Sequence, residues 1–213
     1  MFGSAAGAMR QEHGAALYSF DRPPTTRETF IRGSLFAPLP PFMKTYLGPD
    51  GWSEFLRRVD PVASAVLSQE FVALAWYPFK VVTSAVDVLM AMGKSIGKAN
   101  AVRDMTFFNL NHATKGIFRA IFKLGSPEFM LARSDQVWRK FYSTGRMSTQ
   151  LVTRKEAVIR LEWVPDMTSN YSTAILHSLE AVIVKAGGRM TVAETTSDLG
   201  RGDKYSEFHY CWG

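Results

Sequence analysis

The chain has 213 residues, 46% hydrophobic and 21% charged, with a net charge of +6. Such a chain fits one domain that can bury its own core. Its single cysteine excludes an internal disulfide and a cysteine-only zinc cluster, while the positive charge permits an acidic partner without naming one.

Residues 1–26 read as a flexible N-terminal tail. Alanine and glycine dominate its start, and Pro23–Pro24 close it. The start has no basic stretch ahead of a long apolar core, and no segment has 18 uncharged apolar residues. A soluble, cytoplasmic protein is therefore expected. The compact part, 27–213, begins at Thr29. Pro38, Pro40 and Pro41 delay the first helix, and Gly48-Pro49-Asp50-Gly51 is a turn before a short helix at Trp52.

Val81, Val82, Ala85, Val86, Leu89 and Met92 repeat at helical spacing, and Gly93 and Gly97 end that helix. The spacing next predicts a helix from Asn100 to about Leu124, apolar enough to be central. Ser126-Pro127-Glu128 starts another, with Phe129, Val137, Trp138 and Phe141 along it.

Then the period changes to two. Met147–Val152 and Ala157–Val164 are predicted strands, the second half-buried because Ile159, Leu161 and Trp163 alternate with Arg160 and Glu162. Thr168 or Ser169 caps a helix to about Ala186, and Gly187–Gly188 stops it. Met190–Thr195 and Lys204–Trp212 are the last two strands. Phe208, Tyr210 and Trp212 take one face of the final strand; Glu207, His209 and Cys211 take the other. The order is N-terminal helices followed by ββαββ. That predicts an α+β fold with helices packed on a four-stranded antiparallel sheet.

Catalytic and metal motifs fail one by one. Gly93-Lys94-Ser95-Ile96-Gly97-Lys98-Ala99 has the wrong glycine spacing and no hydroxyl for a phosphate loop. No G-x-S-x-G occurs. Cys211 and His209 share a strand face, but residues two apart are expected to lack sulfur–imidazole contact. Zinc would further require His112 and His177 to converge on them. So neither enzyme nor metal site is expected. His112, on the apolar helix, reads as a core residue, a polar anchor in a pocket or a haem ligand. Tyr142-Ser143-Thr144-Gly145-Arg146 downstream has the residue types of a haem-propionate clamp.

The charge is unevenly spread: +2 in residues 1–100, +5 in 101–150 and −1 in 151–213. Lys115, Arg119, Lys123, Arg133, Arg139 and Lys140 form a candidate basic docking face for an acidic protein or an anionic membrane surface. No nucleic-acid-binding signature accompanies them.

Ile31-Arg32-Gly33, Tyr46-Leu47-Gly48-Pro49, Trp76-Tyr77-Pro78, Leu161-Glu162-Trp163 and Tyr210-Cys211-Trp212 occur in an order that carries a resemblance. The chain resembles the ligand-binding superfamily that joins the four-vinyl-reductase domain, the TRAPP vesicle-tethering subunits and the haem–nitric-oxide-binding domain. Within it, the chain most resembles an expanded myxobacterial family of uncharacterised proteins. The resemblance implies an apolar cavity between helices and sheet, often a homodimer through the helices, and binding or scaffolding rather than catalysis.

Three functions follow as expectations. The first is a non-enzymatic sensor holding a small hydrophobic molecule, lined by Trp76, Phe108, His112, Trp138 and Trp163. The second is a dimeric scaffold that docks through the basic face. The third is a haem-based gas sensor with haem at His112. In the haem-binding relatives the clamp ends the second strand, where this chain has Trp163-Val164-Pro165-Asp166-Met167. The haem reading therefore ranks last, and no cofactor is expected. The zinc-binding cysteines of some four-vinyl-reductase-type sensors are also missing.

Overall fold

The computed structural model describes residue 23 and residues 27–35, 37–69, 72–113 and 125–213. Nearly all of the expected tail, the end of the 100–124 helix, and Lys115, Arg119 and Lys123 lie outside the described residues.

The chain starts with β1 (Phe30–Arg32), then α1 (Leu39–Arg58), α2 (Pro61–Leu67), β2 (Trp76–Pro78), α3 (Lys80–Ser95) and α4 (described over Ala101–Ala113). Next come α5 (Pro127–Leu131), α6 (Ser134–Phe141), β3 (Arg146–Thr153), β4 (Glu156–Glu162), α7 (Ser169–Lys185), β5 (Met190–Ser197) and β6 (Tyr205–Trp212). The expected α+β architecture is present. One antiparallel sheet has the order β3-β4-β6-β5, so two hairpins meet along their second strands. A second, two-stranded sheet joins β1 to β2.

Local chemistry sets the boundaries. α1 is broken at Gly48, where φ is 75° and Pro49 follows, so the two helices expected there form one kinked element. Asp60 caps α2 through the Val62 and Ala63 amides. The Ser126 hydroxyl accepts from the Phe129 amide, as its place before a proline predicts. The single helix expected after it is two, α5 and α6. Thr168 caps α7 through the Tyr171 amide.

The sheet is two-sided. Ala157, Ile159, Leu161, Phe208 and Tyr210 are fully buried on its helix-facing side. Burying each large side chain contributes ~1.5–3 kcal/mol. α6 and α7 pack on that side, and α3 and α4 lie against α7. The first part of α4 is buried at Ala101, Val102 and Met105, whereas Phe107 to Leu110 are only half-buried. The described part of α4 is therefore peripheral along its second half rather than central.

β1 is sewn to the segment before β3. Phe30 donates its amide to Ser143 Oγ at 2.7 Å and accepts from the Ser143 amide. The Thr29 hydroxyl meets that of Thr144 at 2.8 Å and donates to the Pro165 carbonyl. The Ile31-Arg32-Gly33 motif has its own reason: a Cβ on Gly33 would meet the Val72 carbonyl oxygen at 2.5 Å. Tyr142-Ser143-Thr144 thus serves as a structural tie in this chain. Among the described residues, no helix is long and apolar enough to cross a membrane.

Candidate functional site

The helix–sheet layer contains an aromatic group. Trp138 of α6 stacks on Tyr142 with centroids 3.6 Å apart and planes 3° apart. Its indole N–H donates to the Thr144 carbonyl at 2.8 Å. Phe79, at the start of α3, meets Tyr171 of α7 edge-on at 4.7 Å and Tyr142 at 6.1 Å. Each such pair contributes ~0.5–1.5 kcal/mol beyond area burial. The Tyr142 and Tyr171 hydroxyls hydrogen-bond at 2.7 Å. Burial pushes Tyr142 up to about 12 and raises Tyr171 well above its ordinary range. Both are neutral phenols, and together they form a polar pair inside an apolar layer.

The expected pocket residues occupy different surroundings. Trp76 is buried beneath the Arg32 guanidinium, 4.1 Å from its centroid, and its indole N–H has no partner among the described residues. Phe108 is half-buried and packs with Phe42 and His112. His112 is exposed, so it is not a buried polar anchor. Helical spacing correctly pairs it with Phe108, but that face lies at the rim. Trp138 belongs to the aromatic layer. Trp163 is 67% exposed, with φ at 57°, and it does not line the interior. Its place in the β4 alternation ends at Glu162, where the backbone leaves the sheet.

The basic face is only partly described. Arg133 covers the Phe129 ring at 3.5 Å and donates to the Phe129 carbonyl. Arg139 pairs with Asp135 one turn away. Both are occupied on their own helical segment, and Lys140 is exposed.

Haem does not fit the described residues of this layer. Neither His112, exposed on α4, nor His177, held by Glu180 at 2.8 Å beside the Arg103–Glu180 pair, presents an imidazole there. His209 lies on the far face of the sheet. A tyrosinate ligand would have to ionise one of two phenols whose burial opposes it. The tyrosine–hydroxyl–arginine sequence is split as well: Tyr142 binds Tyr171, Ser143 binds Phe30, and Arg146 is exposed in β3.

The far face holds a feature the sequence reading dismissed. Cys211 Sγ lies 3.6 Å from His209 Nε2, so the two do touch despite their two-residue separation. Strand twist and the imidazole's reach close the gap. His209 Nε2 also meets Glu156 Oε1 at 2.9 Å, and Nδ1 meets Glu194 Oε1 at 3.1 Å. These carboxylates raise His209, Glu156 first. Burial, followed by the same two carboxylates, pushes the Cys211 thiol up, the opposite of nucleophile activation. Both carboxylates come from neighbouring strands, and only the strand order could have revealed them.

No protein-family model matches the chain, and no curated protein matches it. Solved structures do. An H-NOX protein from S. oneidensis in the Fe(II)NO state matches with a TM-score of 0.62 at 12% identity, covering 86% of this chain and 99% of that one. An unliganded Fe(II) H-NOX protein from K. algicida gives 0.63 at 11% identity, covering 86% and 97%. An oxygen-binding H-NOX domain related to soluble guanylate cyclases gives 0.60 at 13% identity, covering 85% and 95%. At these identities the likeness shows the fold alone: an α+β fold like that of the H-NOX structures.

Proposed function

We infer that the chain is a non-enzymatic sensory domain that takes a small hydrophobic molecule between its helices and its sheet. The likeness over 86% of the chain to H-NOX structures, one of them an oxygen complex, carries this reading. The polar anchor moves from His112 to the Tyr142–Tyr171 hydroxyl pair, which is the polar group within the aromatic layer. Residues 27–213 act as one cytoplasmic domain and residues 1–26 as its tail. The assignment to the uncharacterised myxobacterial family rests on the ordered motifs, of which Ile31-Arg32-Gly33 has the steric reason given above.

Native mass spectrometry of the full chain purified from cells tests the reading. A bound mass released on denaturation, and lost in Tyr142→Phe or Tyr171→Phe, is the expected result. A bare chain in every preparation, with unchanged tryptophan fluorescence across a panel of hydrophobic compounds, would reject it.

A dimeric scaffold is the second reading, favoured by the close stacking of Trp138 on Tyr142 and the edge-on contact of Phe79 with Tyr171. Close ring packing in that layer suits a docking protein whose partner is a second copy, an acidic protein or an anionic membrane. Light scattering of a dimer with no bound mass would select it. The haem gas sensor comes third. An unshifted haem absorption spectrum on titration is expected, because the described residues give haem no imidazole in that layer.

A further inference from the structure

The far face of the sheet carries a group of side chains unrelated to the helix–sheet layer. In β6, Tyr205, Glu207, His209 and Cys211 alternate with the buried Ser206, Phe208, Tyr210 and Trp212. β6 is an interior strand, with β4 on one side and β5 on the other. Glu156 of β4 lies directly opposite Cys211, and Glu194 of β5 directly opposite His209. Two cross-strand pairs therefore place a thiol, an imidazole and two carboxylates at one end of one face. The ligand atoms of Glu156, His209 and Cys211 all lie within 4.8 Å of one another.

We propose that Glu156, His209 and Cys211 form a zinc site, with Glu194 orienting the histidine and water completing the tetrahedron. The spacing matches the metal's geometry. Zinc–sulfur and zinc–nitrogen bonds at a tetrahedral angle put the two ligand atoms about 3.6 Å apart. Cys211 Sγ and His209 Nε2 are 3.6 Å apart. A carboxylate oxygen and an imidazole nitrogen on zinc are separated by about 3.4 Å. The Glu156 oxygen sits at 2.9 Å, so a small rotation of that half-buried side chain opens the required distance. The same nitrogen, Nε2, faces both other ligands, which is the arrangement a single ion needs.

The outer contact is also in place. A ligating histidine donates its second N–H to a carboxylate, which fixes the tautomer and raises ligand basicity. His209 Nδ1 lies 3.1 Å from Glu194 Oε1. Zinc would displace the proton from Nε2 and take the sulfur as thiolate. One thiolate and one carboxylate then balance its two charges. A mixed sulfur, nitrogen and oxygen set selects zinc over magnesium or calcium, which prefer oxygen alone. The three ligands are half-buried, so an ion can reach them from solvent.

The test uses the full chain, stripped with a chelator and titrated with cobalt(II), then with zinc. Expected are one cobalt per chain, tetrahedral visible bands, a thiolate charge-transfer band, and displacement of all of these by zinc but not by excess magnesium. Cys211→Ser should abolish the charge-transfer band and weaken zinc binding at least tenfold. Glu194→Gln should weaken it by about 10–100-fold while leaving the band. Far-UV circular dichroism confirms folding of each variant. Absence of the charge-transfer band, or zinc affinity unchanged in both Cys211→Ser and His209→Ala, would overturn the site. A bound hydrophobic molecule has no bearing on these readouts, so this proposal and the sensory reading fail separately.

Discussion

The two faces of the four-stranded sheet are built from the same strands and follow different physics. On the helix side, β6 contributes Ser206, Phe208, Tyr210 and Trp212, all buried. The Tyr210 hydroxyl donates to the Leu176 carbonyl of α7 at 2.9 Å, and Ser206 Oγ accepts from the Leu199 amide and shares a hydrogen bond with the Ser172 hydroxyl. On the other side, Glu207, His209 and Cys211 are half-buried; Glu207 and His209 meet charged groups on adjacent strands, and Cys211 touches His209 on its own strand. The first face derives its stability from removing apolar area and satisfying every hydroxyl it encloses. The second keeps titratable groups in contact with water, where they can exchange protons or ions. One residue of register would swap the two sets.

The largest test of this contrast compares neighbours on β6. Phe208→Ala leaves a cavity in a fully buried position and should cost ~3–5 kcal/mol. Glu207→Ala, the adjacent residue on the open face, removes the hydrogen bonds from Arg160 and Thr196 and should shift the urea midpoint far less. Equal losses would mean that the open face is covered in solution.

A smaller effect comes from the tyrosine pair. Tyr171→Phe strands the Tyr142 hydroxyl, and Tyr142→Phe strands that of Tyr171. Each should cost ~1–3 kcal/mol, the penalty of an unsatisfied buried group. The double variant should cost clearly less than the sum, because no orphan remains. Additive losses in urea denaturation would show that the hydroxyls do not act as a pair.

The two faces also differ in how far the sequence revealed them. Alternation in Phe208, Tyr210 and Trp212 named the buried face correctly, and the side-chain caps at Ser126 and Thr168 were visible because capping is local. The pairing of β4 with β6 was not local. Without it, Glu156 had no reason to stand beside Cys211 and His209, and the β5–β6 hairpin alone offered only Glu194 opposite His209. Trp163 misled for a related reason. Its place in the alternation suggested burial, but the backbone turns to positive φ there and carries the ring outward. His112 sat at the right spacing on a helix whose face was less buried than its composition implied.

The last and smallest effect concerns charge in the helical layers, where the contrast between faces should persist. Glu180 of α7 is buried and takes three hydrogen bonds from the Arg103 guanidinium of α4, the shortest at 2.7 Å. Burial pushes its carboxyl up, but Arg103 and then His177 outweigh that and hold it below the usual carboxylate range. Its lowered value makes the folded state bind fewer protons than the unfolded chain in that range. The contribution is therefore present above the ordinary glutamate value and lost as pH falls through the lowered one. In Glu180→Gln, stability should fall less steeply on acidification below about pH 4.5, near the unperturbed glutamate value. Arg103→Met should cost toward the lower end of ~1.5–3 kcal/mol, the range for hydrogen bonds to charged groups. Solvent screens the pair because the Arg103 side chain is 40% exposed. Glu207 is lowered too, chiefly by Arg160, yet that pair stands on the open face. Glu207→Gln should accordingly change the acid limb of the stability curve less than Glu180→Gln does. The reverse order, read from urea midpoints between pH 3 and 6, would place the stronger electrostatic linkage on the open face and undo the division drawn between them.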